Sequence, residues 1–433
     1  MKKKQILFLL FLLTSINCNL LAKPTVDVLS YHVYLETNVY TKQVKGSVII
    51  KFQTDLKSHE VSFDSGNLIV TDIKGNEVED FEQKGEKVFV SIKKNVTSEH
   101  EIKVFYEGMP KKGMVFQASA QQLYTVYFTS EWMVCNSSPD DRAKVKIDIL
   151  ISDKLVSIAS GELIDIEKKD NGKTLYSWSQ NYETPTYTYG IVVGSFNESH
   201  DNHNGIALNY YAANHNSEAI EKIFDKTGDM ISFFEDKAGI PYPQKSYSQV
   251  LIGNHYQEMS GFAVLKSTYG DLVLKDSTET NLISHELAHQ WWGNMITCKS
   301  WNHMWLNEGF ATFMSAAYNE YRFGKKKYQE NIDAYFSVYD NIKKRGGDRS
   351  LVFTDWDNPS KDDRNLVYFK AAYVLHMLRI ELGDEDFWKG IKYYTQEYYG
   401  KSVVTKDFQM AMEKSSNRKL EEFFNYWVYK DEG

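Results

Sequence analysis

The sequence predicts an α+β chain in two parts, a β-rich first half and a mainly helical second half. Two observations carry this. Short alternating apolar and polar runs, broken by Gly, Asn and Asp, fill residues 25–209. From Ser217 onward the apolar residues recur at three- and four-residue spacing instead. Strands gathered first and helices later describe an α+β arrangement rather than an alternating one. At 433 residues, two domains of ordinary size are expected.

The elements follow in order. Lys2, Lys3 and Lys4 precede an apolar run over residues 6–13, then small and polar residues. That layout is a secretory leader over residues 1–22, and the run is too short for a stable anchor. Two outcomes are open: cleavage after Ala22, which removes the three lysines and takes the net charge from −8 to −11, or lipid attachment at Cys18. Either places the protein outside the cytoplasm, as a periplasmic, secreted or membrane-tethered species. No other stretch reaches ~18 apolar residues, so no transmembrane span is expected.

Residues 23–204 form the expected β domain. Residues 46–53 (GSVIIKFQ), 87–92 (KVFVSI), 101–106 (EIKVFY) and 144–150 (KVKIDIL) alternate with period two, the mark of antiparallel strands with one buried face. The second domain is expected over 205–433, with the boundary in the polar stretch 197–204. Ser217 can cap a helix carrying Ile220, Ile223, Phe224, Thr227, Met230, Ile231 and Phe234, ended near Gly239. Ile240-Pro-Tyr-Pro243 must be extended, because two prolines break a helix. Strands are expected over 248–252 and 262–266. Helices are expected over 277–296, 304–323, 362–382, 384–398 and 405–415, before a last segment over 420–429.

Composition excludes several classes. Hydrophobic residues make up 42% of the chain and aromatic residues 14%, too much for a disordered protein. A net charge of −8 without a long basic run disfavours a nucleic-acid partner. The three cysteines include no CxxC pair, so a cysteine-bound zinc is not expected. Cys135 and Cys298 can pair in an oxidising compartment or stand as two buried thiols.

The chemistry concentrates in His285-Glu-Leu-Ala-His289. On a helix, positions i and i+4 share a face, so both imidazoles can reach one ion. Glu286 lies one residue round, where it can act as general base. Eighteen residues after His289 comes Glu308. Two histidines and one carboxylate leave a tetrahedral zinc one open position, the set of a catalytic site. One Zn2+ per chain is expected.

These residues carry a resemblance. His285-Glu-Leu-Ala-His-Gln-Trp-Trp-Gly-Asn294, followed by Asn307-Glu308-Gly309, resembles the zinc aminopeptidases of the aminopeptidase N type, a branch of the thermolysin-like gluzincins. Thr188-Tyr-Gly-Ile-Val-Val-Gly-Ser-Phe196 is similar to the strand closing that family's saddle-shaped N-terminal β domain. Ala238-Gly-Ile-Pro-Tyr-Pro243 is similar to the family's lead into its thermolysin-like catalytic domain. The resemblance implies a zinc metallopeptidase acting on peptides with a free N-terminus.

Two further roles come only from the resemblance. Tyr368, in Val367-Tyr-Phe-Lys-Ala-Ala372, matches the tyrosine that donates to the oxyanion. Glu258, in His255-Tyr-Gln-Glu-Met-Ser-Gly261, matches the glutamate that grips the substrate's α-amine, although its neighbours differ from the family's Gly-x-Met-Glu-Asn. Trp132-Met-Val-Cys-Asn-Ser-Ser-Pro139 resembles a shortened Pro-Cys-x-Asp-Glu-Pro loop, and the second amine-binding side chain drawn from near it is not identifiable. Ser315 stands where the family often has an acidic residue seven positions past the glutamate ligand. The chain stops at Gly433, where larger members continue into a helical domain, so a more open cleft is expected unless a partner or dimer covers it.

Three alternatives remain at this point. One is a zinc endopeptidase or other hydrolase of the same fold, in which Glu258 reads no amine. Another is a secreted binding protein with a vestigial site. The third, a structural zinc module, is disfavoured because only three protein ligands are evident.

Overall fold

A computed structural model describes residues 26–430 apart from 56–57, 94–97, 354–355 and 357–358. The leader over 1–22, the cleavage point at Ala22 and Cys18 lie outside the described residues. No helix among the described residues is long and apolar enough to cross a membrane.

The first half is built on a seven-stranded sheet. Its order is Glu162–Lys169, Lys173–Pro185, Arg142–Ser152, Asp27–Asn38, Gln43–Gln53, Glu99–Gly108 and Ile69–Lys74. Asp27–Asn38 and Arg142–Ser152 run parallel, and the other neighbours are antiparallel. The alternation fixes which face is buried. Val44, Val48, Ile50 and Phe52 of one strand turn inward while Lys45 and Lys51 face solvent. A four-stranded and a three-stranded sheet complete this half.

The second half has its own core, to which helices and a small sheet contribute. That sheet runs Asn197–His203, Ile206–Ala212, Ser246–Leu251, Phe262–Leu265, the last three parallel. Residues 197–204 are therefore not a linker. They form a hairpin strand paired with Ile206–Ala212, so the boundary expected at 204/205 falls on the hairpin turn.

The helices are α1 (Ser217–Phe224), α2 (Thr227–Ala238), α3 (Tyr269–Lys275), α4 (Asn281–Ala288), α5 (Trp305–Phe323), α6 (Lys325–Lys344), α7 (Lys361–Asn365), α8 (Ala371–Leu382), α9 (Asp384–Tyr398), α10 (Thr405–Ser416) and α11 (Glu421–Phe424). The cap of α1 is Asn216, whose side chain accepts from the Ala219 amide, and the expected single helix breaks between Phe224 and Thr227. The expected stop at Gly239 is present as a left-handed C-cap with φ 67°. Tyr328, Ile332, Tyr335, Tyr339 and Ile342 bury one face of α6 at helical spacing, a pattern present in the sequence but not among the expected helices.

Two departures bear on the site. The helix expected over 277–296 ends at Ala288, with His289 as its C-cap. Beyond it the chain turns sharply: Gly293 has φ 141°, and a β-carbon there would meet His289 Nδ1 at 2.7 Å. The helix expected over 362–382 is three pieces, because Leu366–Lys370 forms a π turn between α7 and α8. Single π turns cluster at functional sites, and this one carries Tyr368.

Candidate metal centre and cleft

α4 and α5 pack side by side and bring three ligand-type side chains to one point. His285 Nε2 and His289 Nε2 are 3.1 Å apart, and Glu308 Oε2 is 3.4 Å from each. All three residues are buried. A β-carbon at Gly309 would meet Ala371 Cβ at 2.4 Å, so glycine lets α5 approach the start of α8.

The chemistry of this donor set fits a cation. His289 Nδ1 lies 3.0 Å from the Trp292 carbonyl, which can only accept, so Nδ1 holds the proton. With Nδ1 protonated, the other nitrogen, Nε2, faces His285 and Glu308, where it can carry a proton or ligate a cation. Glu308 Oε2 is buried with no hydrogen-bond partner. Three electron-pair donors facing one another demand a positive charge between them. The surrounding charges favour one positive charge at this point, which a proton or a metal ion can supply. Burial opposes a charge on His289, yet the Glu308 carboxylate outweighs it and lifts the imidazole to about 10. Burial likewise disfavours the Glu308 anion, and the imidazoles of His289 and His285 overcome it, holding that carboxyl below the usual range. His285 is lowered, chiefly by burial.

Thr312 Oγ1, one turn along α5 from Glu308, lies 3.4 Å from His285 Nδ1. Ser315 does not take that part. Its hydroxyl donates to Asn281 O and meets Ser284 Oγ, both at 2.8 Å, which ties α5 to the start of α4.

A second convergence adjoins the first. Ligand atoms of Glu258, Glu286 and His289 lie within 4.8 Å of one another. Glu286 is buried, and its Oε2 has no partner. Burial, then Glu258 and Glu308, push the Glu286 carboxyl well above its ordinary value. Burial is also the main cause that lifts Glu258 to about 7. Two carboxyls this close resist carrying full charge together.

The Glu258 segment is pinned from the helix side. Asn294 Nδ2 donates to Glu258 O at 3.2 Å. Gln290 donates to Met259 O and accepts from the Gly261 amide, both at 3.0 Å. The residues that follow His289 thus hold the segment bearing Glu258 against the metal centre. Gln257 is fully buried, and its Nε2 donates to Glu258 Oε2 at 2.6 Å.

Tyr368 joins the group from the π turn. Its ring stacks on the His285 imidazole, and burial followed by Glu308 raises the phenol well above its usual range. A neutral O–H is therefore kept beside the centre. The structure thus brings together His285, Glu286, His289, Glu308, Glu258 and Tyr368. It adds Thr312, Gln257 and Tyr127, which sequence reasoning did not single out. Glu258, Glu308 and Glu286 all act on the Tyr127 phenol. Tyr127 is 130 residues from its hydrogen-bond partner Gln257, so no local spacing could have signalled it.

The β half also reaches the centre. Tyr187 donates to Gly293 O at 2.8 Å and accepts from Asn307 Nδ2 at 3.0 Å. The Arg142 guanidinium donates to Thr297 Oγ1 at 2.9 Å and to Asn294 O and Met295 O at 3.0 Å. Cys135 and Cys298 are buried free thiols.

The comparisons with known proteins agree with this geometry. The Peptidase M1 N-terminal domain profile matches residues 28–188, and the Peptidase family M1 domain profile matches residues 223–427. A probable aminopeptidase 2 of Sulfurisphaera tokodaii is 26% identical over 94% of this chain and 54% of its own length. A leucyl aminopeptidase of Saccharolobus solfataricus is 23% identical with the same coverage. The chain thus spans about half the length of these curated relatives. Among solved structures, an M1 zinc metallopeptidase from Deinococcus radiodurans superposes with a TM-score of 0.80 at 21% identity, covering 94% of both chains. A mutant of that protein bound to a Tyr-Ser-Ala substrate gives 0.79, at 21% identity, over 93% of this chain and 94% of its own.

Proposed function

Because this chain belongs to peptidase family M1, we propose that it is a zinc aminopeptidase that removes residues from the free N-terminus of peptides. The observation that carries the reading is the joining of two convergent groups. One is a three-donor metal centre, and the other pairs a buried base with a buried carboxylate able to take an ammonium.

His285, His289 and Glu308 would hold one Zn2+ per chain. Zinc in such a site polarises the scissile carbonyl and acidifies water. The remaining work falls to the chain itself. Glu286, buried beside His289 with one carboxylate oxygen unpartnered, is suited to take a proton from water and return it to the leaving amine. Tyr368 directs a neutral phenol at the oxygen that gains charge, without adding a competing anion. Glu258 accepts a charge-assisted hydrogen bond from the substrate's α-ammonium. Its nearness to Glu286 places the first peptide bond, and not a later one, at the base. The relatives named aminopeptidases and the M1 neighbour bound to Tyr-Ser-Ala support the reading.

An extracytoplasmic location is part of the proposal, supported by the basic and apolar leader over 1–22.

The test uses aminoacyl fluorogenic substrates and a tripeptide with its N-acetylated twin. Wild type carrying one zinc should release the first residue from the free tripeptide and spare the acetylated one. Glu286→Gln should keep its zinc and lose ~10^3-fold in kcat. Equal cleavage of the two tripeptides would remove the amine clamp. Absence of stoichiometric zinc would remove the reading altogether.

A further inference from the structure

Lys370 is a lysine almost without solvent contact, 2% exposed. It closes the π turn Leu366–Lys370, two positions after Tyr368. Side chains two positions apart on a helix do not share a face, so the ammonium and the Tyr368 ring leave the turn on different sides. The Lys370 Nζ donates to Asp348 Oδ1 at 2.6 Å and to Arg349 O at 2.7 Å. Asp348 is also buried, and its second oxygen accepts from the Tyr339 hydroxyl of α6 at 2.9 Å.

The segment that receives the lysine is anchored in its turn. The Leu351 amide donates to Val428 O at 2.8 Å, and the Ser350 hydroxyl donates to the same oxygen at 3.0 Å. The Arg349 guanidinium pairs with Asp363, which completes the capping box of α7. Elsewhere the π turn rests on α5, where a β-carbon at Gly309 would meet Ala371 Cβ at 2.4 Å and Val367 O at 3.4 Å. Glycine permits closeness there but contributes no side-chain bond. The side-chain restraint on the turn comes from Lys370 and its acceptors.

We propose that Lys370 is a positioning residue for the reaction: its bond to Asp348 holds the π turn in register and so fixes the aim of the Tyr368 hydroxyl. This rests on the aminopeptidase reading above. An uninterrupted α-helix is the ordinary alternative for such residues, and it would swing Tyr368 about the helix axis relative to His285. An apolar pair of similar volume is often as stable as a buried ion pair, and would let the turn slide. An ammonium held short on a carboxylate and a carbonyl fixes distance and direction together.

The test is steady-state hydrolysis of an aminoacyl fluorogenic substrate by the zinc-loaded enzyme. Lys370→Met should lower kcat about 10^2-fold, the cost of misplacing a reacting group by about an ångström. Zinc content should be unchanged and KM should stay within about threefold. The variant also strands the Asp348 charge, so its melting temperature should fall. Lys370→Met/Asp348→Asn removes that charge and keeps an acceptor for Tyr339. Its melting temperature should recover while its kcat stays low. In a Tyr368→Phe background, Lys370→Met should change kcat by less than about threefold, because the group it positions is gone. A kcat that returns with the melting temperature overturns the proposal, as does a further loss of about 10^2-fold on top of Tyr368→Phe. If wild type hydrolyses no substrate with a free N-terminus, or Tyr368→Phe matches wild type, the reading of the site fails and takes this inference with it. If Tyr368→Phe is impaired and the Lys370 variants match their parents, this inference alone falls.

Discussion

The Tyr368 ring lies nearly parallel to the His285 imidazole, with planes 12° apart and centroids separated by 5.9 Å. The tyrosine therefore has two separable duties, packing against the ligand and presenting its hydroxyl. Tyr368→Phe keeps the first and deletes the second. The variant should retain zinc and its melting temperature while kcat falls about 10^2- to 10^3-fold, with KM little changed. A variant as active as wild type would show that the hydroxyl faces no developing charge.

Thr312 is the only side-chain oxygen found within hydrogen-bonding distance of His285 Nδ1 among the described residues, and the contact is long at 3.4 Å. Thr312→Val keeps the shape and removes the partner. Zinc affinity should fall about tenfold, the low end for partners that orient a ligand, as read by competition with a chromogenic chelator. An unchanged affinity would mean that packing alone orients the ring.

Asp141 offers a pH test remote from the metal. It accepts from the Val28 amide at 2.9 Å, and burial, only partly offset by that bond, lifts its carboxyl to about 7. A folded-state value above the unfolded one means stability is fully present at acid pH and is lost as pH rises through 7. Asp141→Asn keeps an acceptor and carries no charge. It should stabilise the fold at pH 8 by about 4 kcal/mol, read as a higher melting temperature, and change little at pH 4. The opposite pH trend would sink the assignment.

Arg142 bonds the two halves through three acceptors in residues 294–297 and a fourth, Glu183 O, at 2.9 Å. Arg142→Met should destabilise the fold by about 3 kcal/mol, because it strands buried acceptors on both sides. Thermal unfolding should then begin near the metal-bearing half, seen as faster hydrogen exchange in residues 293–299.

Much of the metal centre was legible because its logic is local. His285, Glu286 and His289 sit on one helical turn, where spacing alone decides which side chains meet. Glu308 was readable from ligand chemistry plus the short stretch between helices. The β strands were readable wherever one face is buried, as over residues 46–53. Other parts were not. Tyr127 and Gln257 meet across 130 residues, and nothing in either neighbourhood announces the contact. Thr312 reaches His285 through α5 packing on α4, while the position singled out beforehand, Ser315, braces the helix start instead. The overlong helix over 277–296 reflects good periodicity overridden by Gly293, and the broken one over 362–382 reflects a π turn that leaves hydrophobic spacing nearly intact.

The Tyr187 hydroxyl touches both ligand-bearing segments, through Gly293 O and Asn307 Nδ2. It does so from the opposite half of the molecule. The two halves are consequently not interchangeable cassettes. A chimera whose β portion lacked a hydroxyl at this position would have a metal cradle missing one of its struts. The seam between the halves is therefore part of the scaffold that sets the ligands in place.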